Sequence, residues 1–270
     1  MTYVRGNKVL DGPLTQHVTD PAFRFGVGFY ETLLYNGRHL VNAAAHLSRI
    51  SASMQTFTLP FEPVDLYAAT EMLLDHLSLR NQMARINVFY TLEQPPRQKA
   101  QTKSSATDLL MVPTVTAAPY TPPPADKTFS LTYARAVISS ALHAHKTTNH
   151  MLHYIERQHA QQQSFDDAIL VAHDGTILET TTAALLFFDG LRFTNSHTTY
   201  RLASTAEALA ANLLDITSAP STPEYLSKKK HAYVLNSLMG MRPVGRIGDH
   251  TFTPDFDTCN EVTRHIQNAL

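Results

Sequence analysis

The chain has a single cysteine, Cys259, among 270 residues. One thiol cannot build an intramolecular disulfide framework, and an all-cysteine zinc site is excluded with it. Positive charge is not in surplus either: 22 Lys plus Arg stand against 23 Asp plus Glu, a formal charge of −1. That balance argues against a nucleic-acid or anionic-membrane binder whose affinity rests on net positive charge. No apolar run approaches the roughly 20 residues that a bilayer span needs. Met1 to Leu10 carries Arg5 and Lys8 without an apolar signal core, so a soluble cytoplasmic protein is expected. There is no internal repeat. No G-x-S-x-G elbow is present to anchor a hydrolase triad. Phe25-Gly26-Val27-Gly28 is too short for a dinucleotide fingerprint. The 14 histidines include no i, i+4 pair with a helical glutamate, so no metal site is expected.

What is present points to an ordinary globular core. Hydrophobic residues make up 43% of the chain, and one domain per about 150 residues gives a prior near two domains. Gly6-Asn7 and Asn36-Gly37 are tight-turn dipeptides that predict hairpins between Tyr3 and Leu10 and between Phe29 and Val41. Spacings of three and four predict helices over Ala43 to Phe57 and Leu66 to Leu77. Arg85 to Leu92 and Asp108 to Val115 read as strands. Ala117 to Asp126 then holds four prolines in ten residues and reads as a semi-rigid linker. The expected organisation is a small N-terminal domain over 1–116, the linker over 117–126, and a larger C-terminal domain over 127–270.

In that second half, strands are expected over Thr128 to Ala134, Asp167 to Ala172, Thr176 to Leu178, Ala184 to Phe188, Leu191 to Thr194, Ala232 to Leu235 and Arg242 to Ile247. Helices are expected over Asn149 to Gln163, Ser204 to Leu214 and Cys259 to Ala269. Strands and helices intermix without strict βαβ alternation, so the fold class is α+β with mixed sheets. The Lys228-Lys229-Lys230 run reads as a solvated edge.

Three places could carry chemistry. Lys146 lies between a strand and a helix. It is either an ordinary solvated lysine or, if partly buried, a neutral amine available as a nucleophile. Glu179 ends an apolar strand, where a carboxylate is either solvated or in need of a charged or protonated partner, and Thr180, Thr181 and Thr182 follow it. Ser204-Thr205-Ala206-Glu207 matches a capping box whose helix start would suit a phosphate.

In this order the pieces resemble the fold-type IV pyridoxal-phosphate enzymes, the class IV aminotransferases with their D-amino-acid and aminodeoxychorismate-lyase branches. Phe25-Gly26-Val27-Gly28-Phe29-Tyr30-Glu31-Thr32 is similar to the family's "fGdGvFET". His46-Leu47-Ser48-Arg49-Ile50 is similar to its "H-l-x-R-l". Lys146 with Asn149, Asp174-Gly175 leading to Glu179, Ser204-Thr205, and Leu235 to Val244 complete the set. The matches span residues 25 to 244. The resemblance implies a two-domain fold and a homodimer with pyridoxal 5′-phosphate as cofactor. Lys146 would carry the cofactor covalently and shuttle the proton, and Glu179 would face the ring nitrogen. Arg49 would pair with the phosphate, with Thr182, Ser204, Thr205 and Ser237 as further cofactor contacts. The chain departs from the family at Ala184, where an Asn is usual, at Ala203, where a Gly is usual, and at His150, where branched-chain enzymes carry a Tyr.

For the reaction, Phe89 to Gln94 lacks the arginine that D-amino-acid aminotransferases use for the substrate carboxylate. Asn236 to Val244 looks most like the corresponding segment of aminodeoxychorismate lyases. The first expectation is therefore 4-amino-4-deoxychorismate lyase, and the second a transaminase of branched-chain or other amino acids. A cofactor-less binding protein on the same fold is the third. Tyr30 or Thr32 would help the leaving group, and Arg24, Arg97 and Arg242 are unranked candidates for the substrate carboxylates.

Overall fold

The computed structural model describes residues 1–93, 109–196 and 198–270. Asp108, Gln94 and Arg97 therefore lie outside the described residues. Chain contacts divide the molecule into two units. One is Met1–Thr121 with Lys146–Asn149 and Leu270; the other is Pro122–His145 with His150–Ala269. The fold is α+β with a large mixed sheet.

The first unit contains β1 (Thr2–Arg5), β2 (Lys8–Asp11), α1 (Pro21–Phe25), β3 (Gly28–Asn36), α2 (Ala43–Thr56), α3 (Leu66–His76), β4 (Met83–Glu93) and β5 (Leu110–Pro119). Among the described residues its strands make a five-stranded antiparallel sheet, in the order β2-β1-β5-β4-β3. Gly6 and Asn7 take φ of 54° and 58°, the left-handed pair that a two-residue hairpin requires. The period of two is plain in β4: Ala84, Ile86, Val88, Tyr90 and Leu92 are buried, while Arg85, Asn87, Phe89 and Thr91 are not. The buried set packs with Leu33, Ile50, Met54, Leu66, Leu73 and Met111 in one core. One face of the sheet thus carries the helices, and the other carries the alternate residues.

The second unit contains β6 (Phe129–Ile138), α4 (Met151–Gln162), β7 (Asp167–Ala172), β8 (Ile177–Thr180), β9 (Ala184–Phe188), β10 (Phe193–Asn195), α5 (Thr205–Ala210), β11 (Ile216–Ser218), β12 (His231–Asn236), β13 (Gly240–Ile247), β14 (His250–Thr251) and α6 (Phe256–Gln267). Its sheet runs β11-β10-β9-β12-β13-β6-β7-β8, with β14 added on β13. The pairs β10–β11, β13–β6 and β6–β7 are parallel. Leu185, Phe187, Ala232 and Val234 enter one core, while Leu186, Tyr233 and Leu235 enter another with Ala206 of α5 and Cys259, Val262 and Ile266 of α6. Burial on both faces explains why β9 reads Ala-Leu-Leu-Phe-Phe rather than alternating.

Several elements differ from expectation. Ala117 and Ala118 continue β5 opposite Ile86 and Arg85, so the first three residues of the expected linker belong to the strand, which Pro119 ends. The second half of the Asn36-Gly37 hairpin is reduced to one bridge, Tyr35 to Leu40. The helix expected from Asn149 starts at Met151, because the backbone of Lys146 to Thr148 is already engaged by the edge of β3. Helix α5 stops at Ala210 rather than Leu214, since Ile216 already pairs with Phe193 in β11. Lys229 is not a solvated edge residue: its Nζ donates to Thr194 Oγ1 at 3.0 Å with the side chain largely buried. No helix among the described residues is long and apolar enough to cross a membrane.

Candidate active site

Lys146 lies on a segment that adds to the edge of β3. Tyr30 N donates to Lys146 O at 2.9 Å and Thr148 N to Gly28 O at 2.8 Å, around an antiparallel bridge between Phe29 and Thr147. That register sets residue 146 directly across from residue 30, and opposed residues in an antiparallel pair share a face. The Lys146 Nζ accordingly lies 4.5 Å from the centroid of the Tyr30 ring. Tyr30 stacks in turn on Phe89, its partner across β4, with centroids 6.0 Å apart. Two residues along the same face, Thr32 donates to Asn87 Oδ1 at 2.8 Å. Burial lowers the pKa of His143 and of His145 from the ordinary histidine value.

The approach of this segment requires Gly28. A Cβ there would stand 2.7 Å from Thr148 Oγ1 and 2.8 Å from Tyr90 O. Gly28→Ala is expected to push residues 146–149 off the strand edge. The overpacking should cost about 1–3 kcal/mol, read by urea unfolding.

On the opposite face of β3, Glu31 points among the helices and is 1% exposed. Its Oε1 accepts from Arg49 Nε at 2.7 Å, and its Oε2 lies 2.5 Å from Arg49 Nη2 and 2.7 Å from His46 Nδ1. Burial alone would raise this carboxyl's pKa. The hydrogen bonds and charge of His46 and Arg49 more than reverse that, and pull it down to about 2. The sequence reading gave Glu31 no role. Its signal was available: a carboxylate in register with Phe29 and Leu33 faces the core, and His46 lies on the buried stripe of α2.

In the second unit, Glu179 sits at the end of β8, 8% exposed, and its Oε1 accepts from Leu202 N at 3.0 Å. Ser204 caps α5, its Oγ accepting from Glu207 N at 3.2 Å, and Thr205 is the first helical residue, also buried. Ser237 lies half-buried in the turn between β12 and β13. There, Asn236 Oδ1 accepts from Leu238 N and Met239 N at 3.1 and 2.9 Å.

Two residues assigned to ligand contacts bond within the chain. Thr182 Oγ1 donates to Asp167 Oδ2 at 2.7 Å. Arg242 is 5% exposed and donates to Met241 O, Thr263 Oγ1 and Pro123 O at 2.9, 3.0 and 3.3 Å. Arg24 is exposed over the Phe25 ring.

The model of the class IV amino-transferases matches residues 28–247. The chain belongs to this family. Class IV aminotransferases use pyridoxal 5′-phosphate, and the donor set here fits that group chemically. The first unit carries an amine, Lys146, and a guanidinium, Arg49, and the second a buried carboxylate, Glu179, and the hydroxyls of Ser204 and Thr205, the residue types that such a group would take. The fold is similar to that of a branched-chain aminotransferase from Thermoproteus uzoniensis, with a TM-score of 0.83 at 13% identity, covering 99% of this chain and 93% of that one. It is also similar to a hypothetical aminotransferase from Mycobacterium tuberculosis in its PLP-bound form, with a TM-score of 0.80 at 19% identity and 99% of both chains. A provisionally assigned 4-amino-4-deoxychorismate lyase from Legionella pneumophila gives a TM-score of 0.79 at 16% identity and 93% of both chains. No curated protein sequence matches the chain significantly.

Proposed function

We propose that this class IV enzyme is a cytoplasmic 4-amino-4-deoxychorismate lyase, releasing pyruvate and 4-aminobenzoate. The observation that carries the reading is the flat wall beside Lys146, where Tyr30 and Phe89 stack next to the amine. Such a surface suits an unsaturated ring, and the Phe89 to Glu93 stretch of β4 has no arginine to hold an amino-acid carboxylate. The stretch Asn236 to Val244 supports the same choice by its likeness to lyases.

Bound pyridoxal phosphate would supply an electron sink for the carbon that loses its proton. Lys146 would hold the cofactor, then take the proton at the amine-bearing carbon through its Nζ. Glu179 would hold a proton on the ring nitrogen, its carboxylate oriented by Leu202 N–H. Arg49, fixed by Glu31, would face the phosphate together with Ser204, Thr205 and Ser237. Tyr30 and Thr32 line the substrate side, where a hydroxyl would assist the departing enolpyruvate. Thr182, bonded to Asp167, and Arg242, bonded to Met241, Thr263 and Pro123, would complete the cofactor and substrate contacts.

The likeness of the fold to a branched-chain aminotransferase keeps a transaminase as the second reading. Release of pyruvate from aminodeoxychorismate with no acceptor present is the expected result. Conversion of the cofactor to its amine form by common amino acids, without pyruvate release, would establish the transaminase instead.

A homodimer is part of the same proposal. Met151, Tyr154 and Ile155 expose apolar side chains at spacings of three and four on α4, and such a stripe suits an interface. Sedimentation is expected to give twice the chain mass of 30.0 kDa. The Tyr154→Asp variant should shift the protein toward monomer.

A further inference from the structure

Glu207 departs from the role its sequence gives it. In a capping box this carboxylate would reach back to the backbone N–H of the capping residue, Ser204. Here one oxygen accepts from Asn195 Nδ2 at 2.7 Å, and the other pairs with Arg201 Nη2. Arg201 is folded inward, its side chain 8% exposed, and its Nη1 donates to Ser196 O at 3.2 Å. One ion pair thus ties the end of β10, the loop after it and the first turn of α5. The next residue on that loop is Leu202, whose N–H is the donor to Glu179. The cluster is not built for stability alone. Among the described residues, Asn195 Oδ1, Ser196 Oγ and Arg201 Nε are buried there without a hydrogen-bond partner, and each such atom costs free energy.

We propose that the Arg201–Glu207 pair is a positioning device for Glu179. It holds the loop so that the Leu202 N–H stays on one carboxylate oxygen and sets the plane in which that carboxylate meets the cofactor's ring nitrogen. The inference rests on the cofactor reading above for its consequence, but not for its geometry. Arg201 and Glu207 are positioning residues and touch no ligand.

The test is the Glu207→Gln variant, which keeps the shape but removes the negative charge that faces Arg201. Hydrogen exchange of the cofactor-free protein is expected to show the Leu202 amide exchanging about tenfold faster or more, with the amides of β7 and β9 unchanged. Pyridoxal phosphate affinity, measured by absorbance titration, should fall by about 10- to 100-fold, the range seen when groups that orient metal ligands are removed. The pH at which the bound cofactor's visible band changes should move as well. Arg201→Lys, which keeps a cation for Glu207, should recover part of the Leu202 protection. Unchanged exchange at Leu202 in Glu207→Gln overturns the proposal. So does a uniform rise across β7, β9 and Leu202, because the pair would then only stabilise the unit. If the unaltered protein fails to bind pyridoxal phosphate, the functional reading is lost, and the exchange measurement still decides the role of the pair.

Discussion

The Lys146→Ala variant is expected to fold normally yet remain colourless with pyridoxal phosphate, and to escape labelling by borohydride. Its turnover should fall by about 10⁴- to 10⁶-fold, the scale on which removal of a covalent nucleophile acts. Folding should survive because the segment is held by its backbone. Tyr30 N on Lys146 O and Thr148 N on Gly28 O do not involve the side chain. What is lost is the amine over the Tyr30 ring. A variant that still binds the cofactor covalently, or keeps measurable turnover at the native rate, would remove position 146 from the chemistry.

The Glu31→Ala variant should show the largest loss of stability, about 3–5 kcal/mol at pH 7, because it leaves Arg49 and His46 desolvated without their counter-charge. The loss should depend on pH in a defined direction. The folded protein holds the Glu31 carboxyl at about 2, against an ordinary value of 4.5. Its stabilising contribution is therefore fully present above pH 4.5 and is lost as the pH falls toward 2. The size is on the order of 3 kcal/mol, from 1.36 kcal/mol per unit. Urea melts of both proteins at pH 7 and pH 3 should show the gap narrowing at the lower pH. A gap that stays constant would mean that the carboxylate is not held as the geometry indicates. Cofactor affinity should fall in the same variant, since Glu31 orients Arg49.

Local periodicity made much of the fold legible. The strand Ala184 to Phe188 was read to the residue, and α2 and α3 within one, because their apolar spacing is dictated by nearby packing. The attachment of Lys146 to Asn149 to the strand edge was not legible. It depends on bonds such as Thr148 Oγ1 to Gly26 O, 122 residues apart, and no local pattern encodes so distant a pairing. The same holds for Arg242, whose carbonyl partner at Pro123 lies 119 positions away. Thr182 enters the cofactor set through the family resemblance, while the three hydroxyls after Glu179 do not by themselves show their partners within the chain. Two of them, on Thr181 and Thr182, bond to Asp167 at the start of β7. Glu31 was legible by alternation, but only once the face of β3 that meets α2 was known.

Cys259 lies 1% exposed on the buried face of α6, and burial, with Asp255 adding to it, pushes its thiol up to about 12. At neutral pH that sulfur is neither ionised nor reachable by maleimides or iodoacetamide. The molecule is in effect thiol-silent as it stands. A cysteine introduced at Tyr154 would then be its sole site for a fluorophore, and excimer emission from pyrene at that position would report self-association directly, with no background to subtract.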